Sequence, residues 1–162
     1  MTEDWIVIPV VAPEVIWSRY ADAIGLEELQ RTFGAHWPPP RLRVNEEVYA
    51  WRDRNLSPRP FDPTDHPAAW LSLSINQFNP ARAHMSRGVW PGQHGKGLGR
   101  LMRDFAEQWC RLHVVPSLSI EVYLENLQHL VNVQRDPYWT MDGVLFDPWA
   151  FTFTHAIIQA TP

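Results

Sequence analysis

Short blocks of apolar and polar residues follow one another along the chain and predict alternating strands and helices. The β-branched stretch 4–10 predicts a strand, and Pro13 opens a helical pattern that ends at Gly25. A second helix is predicted over 26–37, where consecutive prolines then impose a loop. Three further strands are predicted over 46–54, 68–78 and 82–90.

From Gly97 onward the apolar spacing becomes that of a helix. Apolar residues recur at intervals of three and four positions, and charged residues take the opposite face. The apolar positions are Leu98, Leu101, Met102, Phe105, Trp109 and Leu112. Pro116 ends this pattern, and Cys110 is interpreted as a small buried hydrophobe. The glycines that precede Leu98 therefore stand at a helix N-terminus.

The C-terminal part predicts a strand, a helix and two more strands. Residues 117–124 alternate between an apolar and a polar face, and Asn126 is placed to cap a short helix over 126–135. Strands are then predicted over 139–146 and 150–158. The last of these is apolar enough to be either an inner strand or an edge at which two copies of the chain meet, so a homodimer stays open.

Length, composition and charge are those of one globular domain. The chain has 162 residues, of which 45% are hydrophobic and 20% charged, and we expect one domain over 1–162. A formal net charge of -4 disfavours nucleic acid as a partner, so a phosphate-bearing ligand needs a local site. The single cysteine excludes an internal disulfide, and no metal is expected. Because no stretch resembles a signal peptide or a membrane span, a cytoplasmic location is expected and no membrane partner.

The stretch 89–102, VWPGQHGKGLGRLM, joins a strand to a helix through a glycine-rich loop. Helix N-termini present unpaired amides and a positive dipole, and glycines let phosphate oxygens approach the backbone. Two nucleotide motifs are excluded by spacing. A P-loop requires serine or threonine where Gly97 stands, and a dinucleotide fingerprint requires glycine where Arg100 stands. The loop therefore predicts a different phosphate ligand.

The segment 89–99 resembles the coenzyme A loop of the GNAT superfamily of N-acetyltransferases, V-x-P-x-x-R/Q-G-x-G-x-G/A. This resemblance implies an α/β fold with a mixed, mainly antiparallel sheet flanked by helices, and acetyl-CoA or another acyl-CoA as cosubstrate. It assigns the end of the strand to the cofactor, where the backbone of Val89 pairs with the acetyl and pantetheine arm. The cofactor residues that it implies are Arg87, Gly88, Val89, His94, Gly95, Lys96, Gly97, Leu98, Gly99 and Arg100. Only His94 departs from the pattern.

A second stretch, IEVYLEN at 120–126, resembles the next strand of the family and its exit. In the family an acidic residue five positions before an asparagine serves as base, and the asparagine contacts the cofactor. The resemblance implies these roles for Glu121 and Asn126. His84 is the alternative base, because it precedes the loop on the central strand.

The acid of the reaction is the feature that this chain lacks. The family commonly has a tyrosine seven positions after the asparagine, where it protonates the departing thiolate, and this chain has Val133. Either the thiolate leaves unassisted, or a hydroxyl from Tyr138 or Tyr123 replaces the missing one.

The resemblance implies an acetyltransferase that acts on a primary amine of a small molecule or a peptide. A coenzyme A-binding module without transferase activity is one alternative, which Val133 favours. An acyltransferase-like enzyme acting on a nucleic acid base or an aminoacyl donor is another, which the negative net charge disfavours. In the family, the segments equivalent to 23–37 and 142–149 form the acceptor pocket. An apolar or aromatic acceptor portion is suggested there by Phe33, Trp37, Phe146 and Trp149.

Overall fold

The computed structural model describes residues 5–33, 44–54, 67–76, 78–124, 126–145 and 150–157. The elements are β1 (Trp5–Pro9), α1 (Pro13–Ile24), α2 (Leu26–Phe33), β2 (Val44–Asp53), β3 (Ala69–Asn76), β4 (Asn79–Val89), α3 (Leu98–Leu112), β5 (Ser117–Tyr123), α4 (Leu127–Arg135), β6 (Thr140–Leu145) and β7 (Ala150–Ala156). Each predicted strand and helix is present. The end of the second predicted helix, 34–37, lies outside the described residues.

All seven strands form one sheet in the order β1-β2-β3-β4-β5-β7-β6. Neighbouring strands are antiparallel except β4 and β5, which are parallel because α3 crosses between them. The mixed, mainly antiparallel sheet is thus confirmed. β7 pairs with β5 on one side and β6 on the other, so the apolar tail contributes an inner strand.

β4 and β5 pair over a short stretch only. Their register ends at the pair of His84 and Ser119, although β4 continues to Val89 and β5 to Tyr123. Next to this last pair, the Ser119 hydroxyl donates to the carbonyl oxygen of Ala83 at 2.8 Å. Beyond it the two strands no longer pair, and we call their facing ends, 85–89 and 120–123, the seam.

Helices cover both faces of the sheet. α3 and α4 pack on one face, over a core that includes Leu71 and Leu118. α1 and α2 pack on the other face, where Trp70 is completely buried. No helix in the described part of the chain is long and apolar enough to cross a membrane.

The buried face of α3 contains Leu98, Met102 and Trp109, as predicted, and departs from the prediction at the end of the helix. Leu112 is 81% exposed, whereas Ala106 and Cys110 are completely buried. Small side chains let the helix approach the sheet closely, so α3 is turned toward them, and Leu112, its last residue, projects into solvent. The interpretation of Cys110 as a small buried hydrophobe is confirmed, and burial raises the pKa of its thiol to about 12.

Candidate functional site

The loop between β4 and α3 is built from backbone conformations that favour glycine. A turn closed by the Gln93 N–H on the carbonyl oxygen of Trp90, at 3.0 Å, holds Gly92 at a φ of 84°. Gly95 and Gly97 both have a φ of 78°. A Cβ added to either of these two would meet no atom within 4 Å. The loop therefore borders open space that a ligand can occupy.

α3 begins with unpaired amides beside this loop. Gly97 is the N-cap, no side chain caps the helix, and the N–H of Leu101 bonds the Gly97 carbonyl at 3.1 Å. The preceding amides, 98–100, consequently have no acceptor within the helix. Leu98 is 2% exposed and fixes this first turn in the core. The helix dipole and these free donors together favour an anion.

Cationic side chains surround the same helix end. Lys96 and Arg100 are exposed, and the Lys96 ammonium donates to the side-chain oxygen of Gln93 at 2.9 Å. Neither cation forms an ion pair with a carboxylate in the described ranges. His94 is also exposed. This local positive charge, in a chain of net charge -4, fits the diphosphate of coenzyme A.

The seam adds unpaired backbone groups to the site. The carbonyl of Ala83 faces β5, because the Ser119 hydroxyl donates to it. The N–H and C=O groups of every second residue in a strand point to the same side, so those of Met85, Arg87 and Val89 also face β5. β5 no longer pairs there. Such a strand edge fits an extended ligand that carries amide groups, as the pantetheine arm of coenzyme A does.

Tyr20 of α1 lies at the far end of the seam. Its hydroxyl accepts a hydrogen bond from the backbone N–H of Val89, and burial raises its pKa to about 12. The ring packs edge-on against Trp90, with ring centroids 5.0 Å apart. Nothing in the helical pattern of α1 distinguishes Tyr20, so this contact cannot be predicted from the sequence. The Val89 carbonyl and the backbone of Arg87 still face the seam.

His84 and Glu121 lie together where the seam begins. Both project from the sheet face on which α1 packs, because Trp70 of that face is in register with Gly88 of β4. His84 Nδ1 and Glu121 Oε1 are 3.9 Å apart, which is too long for a hydrogen bond, and the side chains are 14% and 26% exposed. The structure thus brings the two predicted bases to one point.

Further polar groups extend this sheet face. Asp142 of β6 forms an ion pair with Arg82, and it accepts hydrogen bonds from Thr152 at 2.7 Å and Thr154 at 3.3 Å. Ser74, opposite His84 on β3, is 1% exposed, and its hydroxyl has no hydrogen-bond partner among the described residues. This sheet face therefore carries further polar groups beside His84 and Glu121.

Tyr138 is engaged elsewhere. Its hydroxyl donates to Glu107 of α3 at 2.5 Å, and its ring stacks on His155 with centroids 3.5 Å apart. Burial and the bond to Glu107 raise the pKa of this hydroxyl far above its usual range. The structure gives Tyr138 no contact with His84 or Glu121 among the described residues, so its role as acid stays a prediction.

Three other predicted positions lie around the seam. Asn126 is the N-cap of α4, and its side chain makes no capping hydrogen bond. Val133 is 4% exposed in the core between α4 and the sheet. Tyr123, the last residue of β5, shares the face of Glu121 by alternation. Trp37, Phe146, Trp149 and the side chain of Phe33, which suggested an aromatic acceptor, lie outside the described residues.

Comparisons with known proteins concern the fold. No protein-family model and no curated protein matches the sequence. Among solved structures, spermidine N-acetyltransferase from Vibrio cholerae in complex with CoA and spermine has a TM-score of 0.67 at 9% identity, and the match covers 96% of each chain. The GNAT domain of PAT from S. lividans has a TM-score of 0.65 at 15% identity, covering 93% of this chain and 89% of that one.

Nourseothricin acetyltransferase has a TM-score of 0.55 at 18% identity, and the match covers 70% of this chain but 66% of that one. At these identities the likeness concerns the arrangement of the backbone. It agrees with the element order and with the parallel pair at the centre of an otherwise antiparallel sheet. The chain has the GNAT fold.

Proposed function

We propose that the protein is an N-acetyltransferase that uses acetyl-CoA, or another acyl-CoA, to acylate a primary amine. The observation that carries this proposal is the position of the seam. It runs from the pair of His84 and Glu121 to the glycine-rich loop, so one extended ligand can reach both an anion-binding helix end and a proton acceptor.

The cofactor would be held mainly by backbone groups. The amides of 95–100 would bind the pyrophosphate, with Lys96 and Arg100 adding positive charge and His94 beside them. The backbone of Arg87 and the carbonyl of Val89 would bind the pantetheine arm, and Asn126 would contact it from α4. When bound, the cosubstrate supplies an activated thioester carbonyl.

The proton acceptor that we propose is Glu121. The Glu121 side chain is 26% exposed, so its carboxylate can take the amine proton directly or through a water molecule. His84 is close enough to share this role, because its Nδ1 atom lies 3.9 Å from the carboxylate. An amine acceptor is supported by one structural neighbour, a spermidine N-acetyltransferase whose structure contains CoA and spermine.

A non-catalytic coenzyme A-binding module is the second candidate. It is favoured by Val133, which is buried and apolar where the family commonly has its acidic tyrosine. Release of coenzyme A thiol from acetyl-CoA over a panel of primary amines separates the two. We expect release with at least one amine, whereas tight binding without release on any amine would favour the module.

The loop assignment is tested by Gly97→Asp. A carboxylate at the helix N-terminus repels a diphosphate, so the affinity for coenzyme A is expected to fall at least about tenfold in calorimetry. Gly25→Asp is the matched control, because Gly25 has a φ of 92° and a Cβ there also meets no atom within 4 Å. Equal affinities in the two folded variants would contradict the assignment.

A further inference from the structure

The charge of the departing thiolate has no evident partner in the assignments above. Val133 is apolar, and the hydroxyl of Tyr138 already donates to Glu107. A thiolate that leaves unassisted places a full negative charge in a partly enclosed site, where a nearby cation stabilises it far more than water does. The cation that the structure offers is Arg87.

Arg87 lies under the start of α3. It is in register with Leu71, so its side chain projects from the sheet face that α3 and α4 cover. One guanidinium nitrogen, Nη1, donates to the carbonyl oxygen of Gly99 at 3.0 Å. This bond ties the side chain to the first turn of α3, directly behind the seam.

The guanidinium of Arg87 has no carboxylate in direct contact among the described residues, so it forms no ion pair there. Its one hydrogen bond to those residues is the bond from Nη1 to the Gly99 carbonyl. None of its other nitrogens is sealed from solvent without a partner. The remaining N–H groups of a guanidinium can donate to a ligand that approaches between α3 and α4.

Charged groups from α3, α4 and the segment after α4 surround this side chain. Arg103 lies 3.5 Å from Asp136 and 4.1 Å above the ring of Tyr138. Burial and the charge of Arg87 lower the pKa of His129 on α4, so this imidazole is neutral at pH 7. The charge of Asp136 also favours the charged form of Arg87, so the guanidinium groups of Arg87 and Arg103 share this one carboxylate and the cluster keeps a net positive charge.

Resting on the function proposed above, we infer that the Arg87 guanidinium stabilises the coenzyme A thiolate as it leaves. In this step the amine nitrogen bonds to the acyl carbon, and the carbon–sulfur bond breaks with its electron pair on sulfur. The amine proton passes to Glu121 and on to solvent. The sulfur keeps its negative charge beside Arg87 until water protonates it, so no tyrosine is required.

The pKa of the coenzyme A thiol in the binary complex tests this inference without any turnover. Thiolate absorbs in the far ultraviolet, so the bound thiol can be titrated against free coenzyme A. A facing guanidinium is expected to lower the bound thiol pKa by about one unit or more. Arg87→Met should remove most of this shift, and Arg87→Lys should retain part of it, because the charge remains.

Arg82→Met is the matched control. Arg82 lies on the same strand but projects from the opposite face, where Asp142 balances it, so the thiol pKa should stay as in the unmodified protein. A bound thiol with the pKa of free coenzyme A, or a lowered pKa that persists in Arg87→Met, would overturn this inference but not the proposed function. Failure of the unmodified protein to bind coenzyme A would overturn the proposed function with it. If Arg87→Met does not fold, the unmodified protein and Arg87→Lys decide.

Discussion

Glu121→Gln is expected to lower turnover about a hundredfold or more and to leave the affinity for coenzyme A nearly unchanged. Glutamine keeps the size of the side chain but cannot accept the amine proton. The lost rate corresponds to about 2.7 kcal/mol of transition-state stabilisation. Raising the pH should recover part of it, because more of the amine is then already deprotonated. Steady-state kinetics and calorimetry on the same preparation measure both quantities.

Two further variants show whether the effect belongs to Glu121. Asp104→Asn removes an exposed carboxylate from α3 and should leave turnover unchanged. His84→Gln reports on the neighbouring base, whose Nδ1 atom lies 3.9 Å from Glu121. Wild-type turnover in Glu121→Gln together with a large loss in His84→Gln would transfer the role to His84. Wild-type turnover in both would leave proton removal to solvent.

Gly88→Ala is expected to destabilise the fold by about 1–3 kcal/mol. Its Cβ would lie 2.4 Å from Nε1 of Trp70 and 2.6 Å from Cζ of Tyr20, in the buried cluster that joins α1 to the sheet. Both rings are held between helix and strand, so neither can move away freely. Denaturant unfolding followed by tryptophan fluorescence measures the loss.

Gly99→Ala is the matched control for stability. Gly99 lies in the first turn of α3, and a Cβ there meets no atom within 4 Å. Alanine should therefore leave the stability unchanged or raise it by about 0.5–1 kcal/mol. If Gly88→Ala unfolds at the same denaturant concentration as the unmodified protein, Tyr20 and Trp70 do not pack as closely around Gly88 as described here.

The fold was predictable from local patterns because each element has its own hydrophobic periodicity and is bounded by glycine or proline residues. Gly25 and Pro116 mark where helices end, and the glycines before Leu98 mark where α3 begins. The end of the buried face of α3, where Ala106 and Cys110 are buried and Leu112 is not, was less predictable. It depends on how closely Ala106 and Cys110 approach the sheet, a property of the packed pair that the helix sequence alone does not contain.

The candidate site divides in the same way. The glycine loop and Glu121 belong to contiguous stretches that resemble motifs of the family, so the resemblance alone implies their roles. Contacts between distant segments are different, since the bond of Tyr20 to Val89 requires α1 to dock against β4. Likewise, the engagement of Tyr138 with Glu107 depends on where the segment after α4 meets α3. Choosing Tyr138 as the candidate acid from its position in the sequence therefore could not account for its contact with Glu107.

The seam also divides the sheet into two parts that share few backbone hydrogen bonds. The strands β1 to β4 form one continuous ladder and β5 to β7 another, and the backbone joins them through three residue pairs from Arg82 to His84. The backbone therefore contributes little cohesion between the two ladders, which act as units held together mainly by the core that they share. A ligand that bonds to both sides of the seam couples these units, so its binding free energy is added to the resistance of the whole domain to unfolding.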